Sequence, residues 1–218
     1  MIHLSFILTT LLPAIIIAYL LGAIPVASMI SRRSGVDIFS VGTGLAGASN
    51  VRRHVGNFRG LLAGLFDLTK GLVALLIGRL LGIDDAWIVL PALAAIAGHW
   101  NSVFTRFRGG DGLSILAGIM IGMFPDYGVI GVLVALVVAL GGQKLPYTSL
   151  LSVVFGYGTV AALVLSTNGE LPLALGLGGL SALVLARASL GHHRRRDNGL
   201  EWDDLEDVDG AADPRGFS

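Results

Sequence analysis

The chain has 218 residues, 54% of them hydrophobic and 14% charged, with a mean hydropathy of +0.77. Soluble domains carry about a quarter charged residues, so these charges cannot cover a globular surface and lipid must solvate much of the chain. The absence of cysteine excludes disulfides, a thiolate nucleophile and Cys-ligated metal, while the formal net charge of +0 says less than its distribution.

The first segment, "FILTTLLPAIIIAYLLGAIPVASMI" from Phe6 to Ile30, carries no charge. It is long enough to span a bilayer, which takes about 20 apolar residues. It is also too long for a cleavable signal peptide, and no basic residue precedes it. Six further apolar segments follow: Leu61–Leu81, Trp87–Phe104, Leu113–Phe124, Gly128–Leu140, Tyr147–Ser166 and Leu171–Ser189. Leu113–Phe124 and Gly128–Leu140 are short, near the length of buried or re-entrant pieces. Pro125 and Asp126 separate them, so a single broken hairpin is the other reading. The expected fold is an all-α, polytopic membrane helix bundle of about seven spans, with five as the floor.

Charge segregates with this count. Seven spans put Ser31–Gly60, Thr105–Gly112, Gly141–Pro146 and the tail on one side, with Arg32, Arg33, Arg52, Arg53, Arg59, Arg106, Arg108 and Lys144. The other side receives Asp84, Asp85, Asp126 and Glu170, with only Arg79 nearby. The positive-inside rule then makes the basic side cytoplasmic, with the N-terminus outside and the C-terminus cytoplasmic. Residues 1–190 form the expected membrane domain. Residues 191–218 begin with the basic "HHRRR" and continue as an acidic tail, expected to be cytoplasmic and disordered. His192 and Asp197 in that tail have an H-x4-D spacing, which is read as chance.

"VGTGLAGASNVRR", Val41 to Arg53, places Gly42, Gly44 and Gly47 as G-x-G-x-x-G, with Asp67 twenty positions beyond Gly47. Those spacings match a dinucleotide fingerprint. That fold needs alternating strands and helices, and the segments that follow are charge-poor spans. A glycine-rich turn can instead aim backbone N–H groups at a phosphate, with Arg52, Arg53 and His54 adding positive charge. A solvated cytoplasmic loop is the bland alternative for the same residues.

A second stretch, "GHWNSVFTRFRGGDG" from Gly98 to Gly112, supplies His99, Asn101, Arg106, Arg108 and the glycines Gly109, Gly110 and Gly112. Topology places it on the same membrane face, and two such loops together make a better anion site than one. Asp67 and Lys70, three apart on the second span, share a helical face and can pair. Ionisable groups within a span are costly and mark functional candidates, the alternative being interfacial snorkelling. His99 has a titration range suited to proton transfer.

Together these residues resemble the bacterial acyl-phosphate:glycerol-3-phosphate acyltransferase family, over most of the chain. "IFSVGTGLAGASNVRR" is similar to that family's I-G-S-G-N-x-G-A-T-N-x-x-R, "DLTKG" to D-x-x-K-G, and "GHWNSVFTRFRGGDGLS" to G-H-x-x-P-V-F-x-x-F-K-G-G-K-G-x-A-T. "LPYTSLLSVV" is similar to R-Y-x-S-L-x-S, and "NGLE" faintly to the terminal G-T-E. The chain departs from these patterns at Thr43 for serine, Leu45 for asparagine, Asp111 for lysine, Ile115 for threonine and Pro146 for arginine.

The resemblance implies acyl transfer from acyl phosphate to the first hydroxyl of glycerol 3-phosphate, giving lysophosphatidic acid. It implies that Gly42, Thr43, Gly44, Asn50 and Arg53, with Gly47 closing the loop, cradle one phosphate. Arg108, Gly109, Gly110 and Gly112 would cradle the other, and Lys70 would add charge. His99 or a substrate phosphate oxygen would accept the hydroxyl proton, and Asn101 would orient either partner. The implied setting is the bacterial plasma membrane with a cytoplasmic active face, membrane lipid around it, and no metal, cofactor or nucleic acid. Altered acceptor specificity, headgroup binding without catalysis, and anion transport through Asp67 and Lys70 are the competing readings.

Overall fold

The computed structural model describes residues 4–142 and 148–197, with no side chains described beyond Ser189. Among the described residues every regular element is helical. A lead-in of Leu4–Phe6 and the π-helical turn Ile7–Leu11 enters α1, Leu12–Ala23, and α2 follows as Val26–Arg33. The first apolar segment is therefore interrupted rather than one straight helix. Ile24 adopts ψ 115° because the residue before a proline is pushed out of the helical region, and Pro25 starts the chain in a new direction.

The remaining helices are α3 (Ala48–His54), α4 (Asn57–Leu80), α5 (Val89–Trp100), α6 (Leu113–Met123), α7 (Pro125–Gly141), α8 (Thr148–Ser166) and α9 (Leu171–Asp197). Five helical stretches are long and apolar enough to cross a membrane: Leu4–Arg33, Asn57–Leu80, Asp85–Thr105, Thr148–Ser166 and Leu171–Ser189. The two shorter apolar helices, α6 and α7, meet at Phe124. The 11 residues of α6 reach about 16 Å at 1.5 Å per residue, and most of them are buried. It is a core helix. Helix α9 continues through Asp197, so the first residues of the expected disordered tail are helical. Pro146 and the acidic stretch 198–218 lie outside the described residues.

Close backbone contact holds the bundle together. In the α1–α5 pair a side chain at Gly22 would collide with the Ala95 carbonyl, and one at Gly98 with the Tyr19 carbonyl. Gly71 and Gly118 make the same approach between α4 and α6. Small residues permit this proximity where lipid supplies no hydrophobic drive for association. A second apolar cluster of Ala27, Ile38, Phe39, Ala46, Val51 and Ala63 lies under the 34–47 loop and fixes it to the bundle. Leu8, Leu61, Leu133, Val137, Phe155 and Leu175 are exposed, a distribution suited to lipid rather than water.

The connections cluster by charge. The Tyr127 hydroxyl donates to Thr167 Oγ1 at 3.1 Å. Arg79, Asp84, Asp85 and Glu170 line one cavity, so the acidic loops meet at one end. The two glycine-rich basic loops meet elsewhere.

Candidate active site

The first loop is shaped from within. Asp37 Oδ1 accepts the Phe39 N–H at 3.1 Å, forming a local turn that points Ile38 and Phe39 into their cluster. Gly42 and Gly44 then take φ of 54° and 65°, a region that costs other residues strain. The buried Asn50 amide donates towards the carbonyls of Ile38 at 3.2 Å, Val41 at 3.1 Å and Leu45 at 3.0 Å. Asn50, expected to help cradle a phosphate, clamps the loop through its amide. Thr43 Oγ1 accepts a long contact of 3.4 Å from the Leu45 N–H, so the hydroxyl faces its own loop.

The second loop is stitched to the first. The Ala46 N–H donates to the Gly109 carbonyl at 3.0 Å. Arg108 Nη2 donates to the Phe39 carbonyl at 3.0 Å, and its guanidinium lies 4.3 Å from the Phe39 ring centre. Arg108, expected to cradle phosphate, is thus a clasp between the loops. Asp111 Oδ1 accepts the Leu113 N–H at 3.1 Å at the start of α6, a favourable place for an anion. Gly47 faces the same carboxylate, since a Cβ there would lie 2.8 Å from Oδ2.

His99 sits at the seam, buried at the end of α5. Its carbonyl accepts the Gly110 N–H at 3.1 Å, folding the turn back beneath the imidazole. Any side chain at Gly110 would strike Nε2. Nδ1 lies 3.7 Å from Asp67 Oδ1, an ionic approach longer than a hydrogen bond. Asp67 pairs with Lys70 at 2.7 Å, and both are buried. Lys70 Nζ also donates to the Gly22 carbonyl at 3.2 Å and the Ile24 carbonyl at 2.8 Å. An ammonium has three protons to give, so all are engaged, two of them at the break before Pro25. Lys70, expected to add charge at a phosphate, thus also anchors the helix break.

One cavity collects much of this set. Its lining includes the Gly22–Ala27 break, Asp67, Lys70, His99, Ser102, Arg108, Gly109 and Gly110. Gly42, Thr43, Gly44, Gly47, Asn50, Arg53, Asn101 and Gly112 are outside it. Arg53 is exposed on the last turn of α3, and Asn101 is exposed, its carbonyl accepting the Tyr19 hydroxyl at 2.8 Å. Gly112 starts α6 with φ 97° against the Trp100 indole. Among the described residues no group of three His, Asp or Glu side chains is arranged to hold a metal.

Sequence reasoning missed two contributors. Ser102 is buried and its hydroxyl donates to the Ala23 carbonyl at the break. Arg187 on α9 donates from Nε to the Gly110 carbonyl at 3.3 Å and from Nη2 to the Trp100 carbonyl at 3.1 Å. The available signal was a lone cation inside the last apolar segment.

The geometry gives two glycine-rich loops joined at Ala46 and Gly109, a buried imidazole against Gly110, and a broken helix in the cavity wall. Comparison with known proteins points one way. The family described as glycerol-3-phosphate acyltransferase matches residues 12–198. A Rubrobacter xylanophilus glycerol-3-phosphate acyltransferase is 37% identical over 186 residues, 85% of this chain and 89% of the relative. Glycerol-3-phosphate acyltransferase 1 of Deinococcus radiodurans is 42% identical over 120 residues, 55% of this chain. Several matches are partial: the chain spans 61% of that relative's length and 56% of the Geobacter sulfurreducens relative's. The glycerol 3-phosphate form of PlsY, an integral membrane glycerol 3-phosphate acyltransferase, superposes with a TM-score of 0.73 at 28% identity, covering 86% of this chain and 92% of that one. Its lysophosphatidic acid form gives 0.68 at 26% identity with the same coverage. This chain belongs to the glycerol-3-phosphate acyltransferase family.

Proposed function

We propose that the protein transfers a fatty acyl group from acyl phosphate to the first hydroxyl of glycerol 3-phosphate, releasing lysophosphatidic acid and inorganic phosphate. The carrying observation is the seam itself, where the Ala46 N–H binds the Gly109 carbonyl and His99 lies over Gly110. The family membership and the solved forms of PlsY with glycerol 3-phosphate and lysophosphatidic acid support the acceptor and product.

Acyl phosphate is already an activated mixed anhydride, so no covalent enzyme nucleophile is needed. The protein's task is to hold two anionic heads together and align hydroxyl with carbonyl. The glycerol hydroxyl oxygen bonds to the acyl carbon as the bond from that carbon to the phosphate oxygen breaks. The hydroxyl proton goes to His99 or to a phosphate oxygen of the substrate. Glycine-loop N–H groups bind the heads, with Arg53 adding charge at the mouth. The acyl chain lies among the apolar helices.

The proposed setting is a seven-crossing bundle in the bacterial plasma membrane, with the basic, catalytic end cytoplasmic and the N-terminus outside. The meeting of the acidic loops at one end and the charge of Arg32, Arg33, Arg52, Arg53, Arg59 and Arg106 support it. Leu45 and Asp111 favour a second reading in which the acceptor is altered. Purified protein in lipid, given labelled glycerol 3-phosphate with palmitoyl phosphate or palmitoyl-CoA, decides between them. Labelled lysophosphatidic acid from palmitoyl phosphate alone, lost in Arg53→Ala, is the expected result. Well-folded protein that makes no product with either donor refutes the proposal.

A further inference from the structure

We propose that Arg187 is a positioning residue of the site: it holds the 109–112 turn beneath His99 and offsets the carboxylate carried at position 111. Its identification of the ligand as a phosphate-bearing acceptor rests on the function proposed above. Arg187 is the single charged residue in the apolar stretch Leu171–Ser189, where a charge is costly without partners. Its guanidinium reaches two carbonyls on either side of the chain reversal, Trp100 at 3.1 Å and Gly110 at 3.3 Å, and lies 5.1 Å from the Trp100 ring centre. The Trp100 indole N–H donates to the Asp111 carbonyl at 3.0 Å, closing the set around the turn. A planar fork over an aromatic ring is a role that lysine does not reproduce.

Electrostatics give the second half of the argument. The charges of Asp67, Lys70, Asp111 and Arg187 all act on the His99 ring. Asp67 and Lys70 cancel as an ion pair, leaving Asp111 opposed by Arg187. The Asp111 carboxylate is held in place, with Oδ1 on the Leu113 N–H and Oδ2 against Gly47. Removing Arg187 takes one positive charge from the surroundings of His99, where an anion has to bind.

Four variants test both halves: Arg187→Gln, Arg187→Lys, Asp111→Asn, and Asp111→Asn combined with Arg187→Gln. Asparagine can still accept the Leu113 N–H through Oδ1, so the second site reports charge. Arg187→Gln should raise KM for glycerol 3-phosphate about tenfold, the effect of one charge acting from about 12 Å at an effective dielectric near 20. Adding Asp111→Asn should return KM most of the way, and Asp111→Asn alone should lower it. Arg187→Lys should keep KM near that of the wild type but lower kcat, because the fork is lost while the charge stays. Unchanged kinetics in Arg187→Gln, or a loss that Asp111→Asn does not relieve, overturns the inference. If Arg187→Gln does not fold, the Asp111→Asn and Arg187→Lys kinetics decide by the same criteria. A wild-type protein that forms no lysophosphatidic acid refutes the acyltransferase reading instead. Calorimetric binding of inorganic phosphate to the same variants then decides the Arg187 inference alone, through the same pattern of loss and recovery.

Discussion

Replacing Lys70 with methionine separates a structural anchor from a substrate ligand. The side chain fits the same volume but removes the 2.7 Å ion pair to Asp67 and both hydrogen bonds to the Gly22 and Ile24 carbonyls. Asp67, with a side chain 3% exposed, is left as an uncompensated charge. Removing one member of a buried pair costs about 3–5 kcal/mol. At about 2–4 °C per kcal/mol for a chain of this size, Lys70→Met should lower Tm by on the order of 10 °C. Adding Asp67→Asn removes the orphaned charge and should recover about half of that loss, the two carbonyls remaining unsatisfied. Thermal unfolding in detergent, followed by tryptophan fluorescence, measures both variants. KM for glycerol 3-phosphate is measured well below either midpoint. A Lys70→Met protein that melts with the wild type and shows only a raised KM would refute the anchor assignment and restore Lys70 as a phosphate ligand.

Three further outcomes follow from the same geometry. Gly110→Ala drives a methyl group into His99 Nε2 and against the Ala46 carbonyl. It should reduce kcat about 100-fold, the scale of an ångström displacement at a reacting group, and lower stability by about 1–3 kcal/mol through overpacking. Asn50→Ala leaves three loop carbonyls without their amide donor and should cost about 1–3 kcal/mol in the same melting assay. Arg108→Met unfastens the Phe39 carbonyl and ring. It should lower Tm, the freed carbonyl costing about 1–3 kcal/mol, and raise KM for both substrates through the loosened loops, as thermal unfolding and steady-state kinetics will show.

Much of the site was legible because its chemistry is written in local spacing. Gly42 and Gly44 announce a turn through their tolerance of positive φ, and the structure puts them there. His99, Gly109 and Gly110 lie within a dozen residues of one another, so their convergence needed only one chain reversal. Asp67 and Lys70 pair as their spacing on one helix requires. The exclusion of a dinucleotide fold holds too, with no strand among the described residues.

The roles of the polar side chains were not legible in the same way. Lys70, Asn50 and Arg108 have the chemistry of phosphate ligands, yet each satisfies backbone carbonyls that the fold creates. Those carbonyls come from the break at Pro25, the turn after Asp37 and the apposition of two loops. A buried carbonyl without a donor is costly, and no local pattern says which distant donor will reach it. Arg187 is the same case in reverse, 77 positions from Gly110 along the chain and joined to it only by the packing of α9.

Composition and order by themselves determined that this chain is a membrane helix bundle with its cations and anions on separate loops. Hydropathy and charge act over short windows, and lipid leaves little choice in how they are met. Tertiary structure alone decided which cations remain for a ligand and which secure the frame, because burial makes every polar group seek a partner wherever the fold brings one within reach.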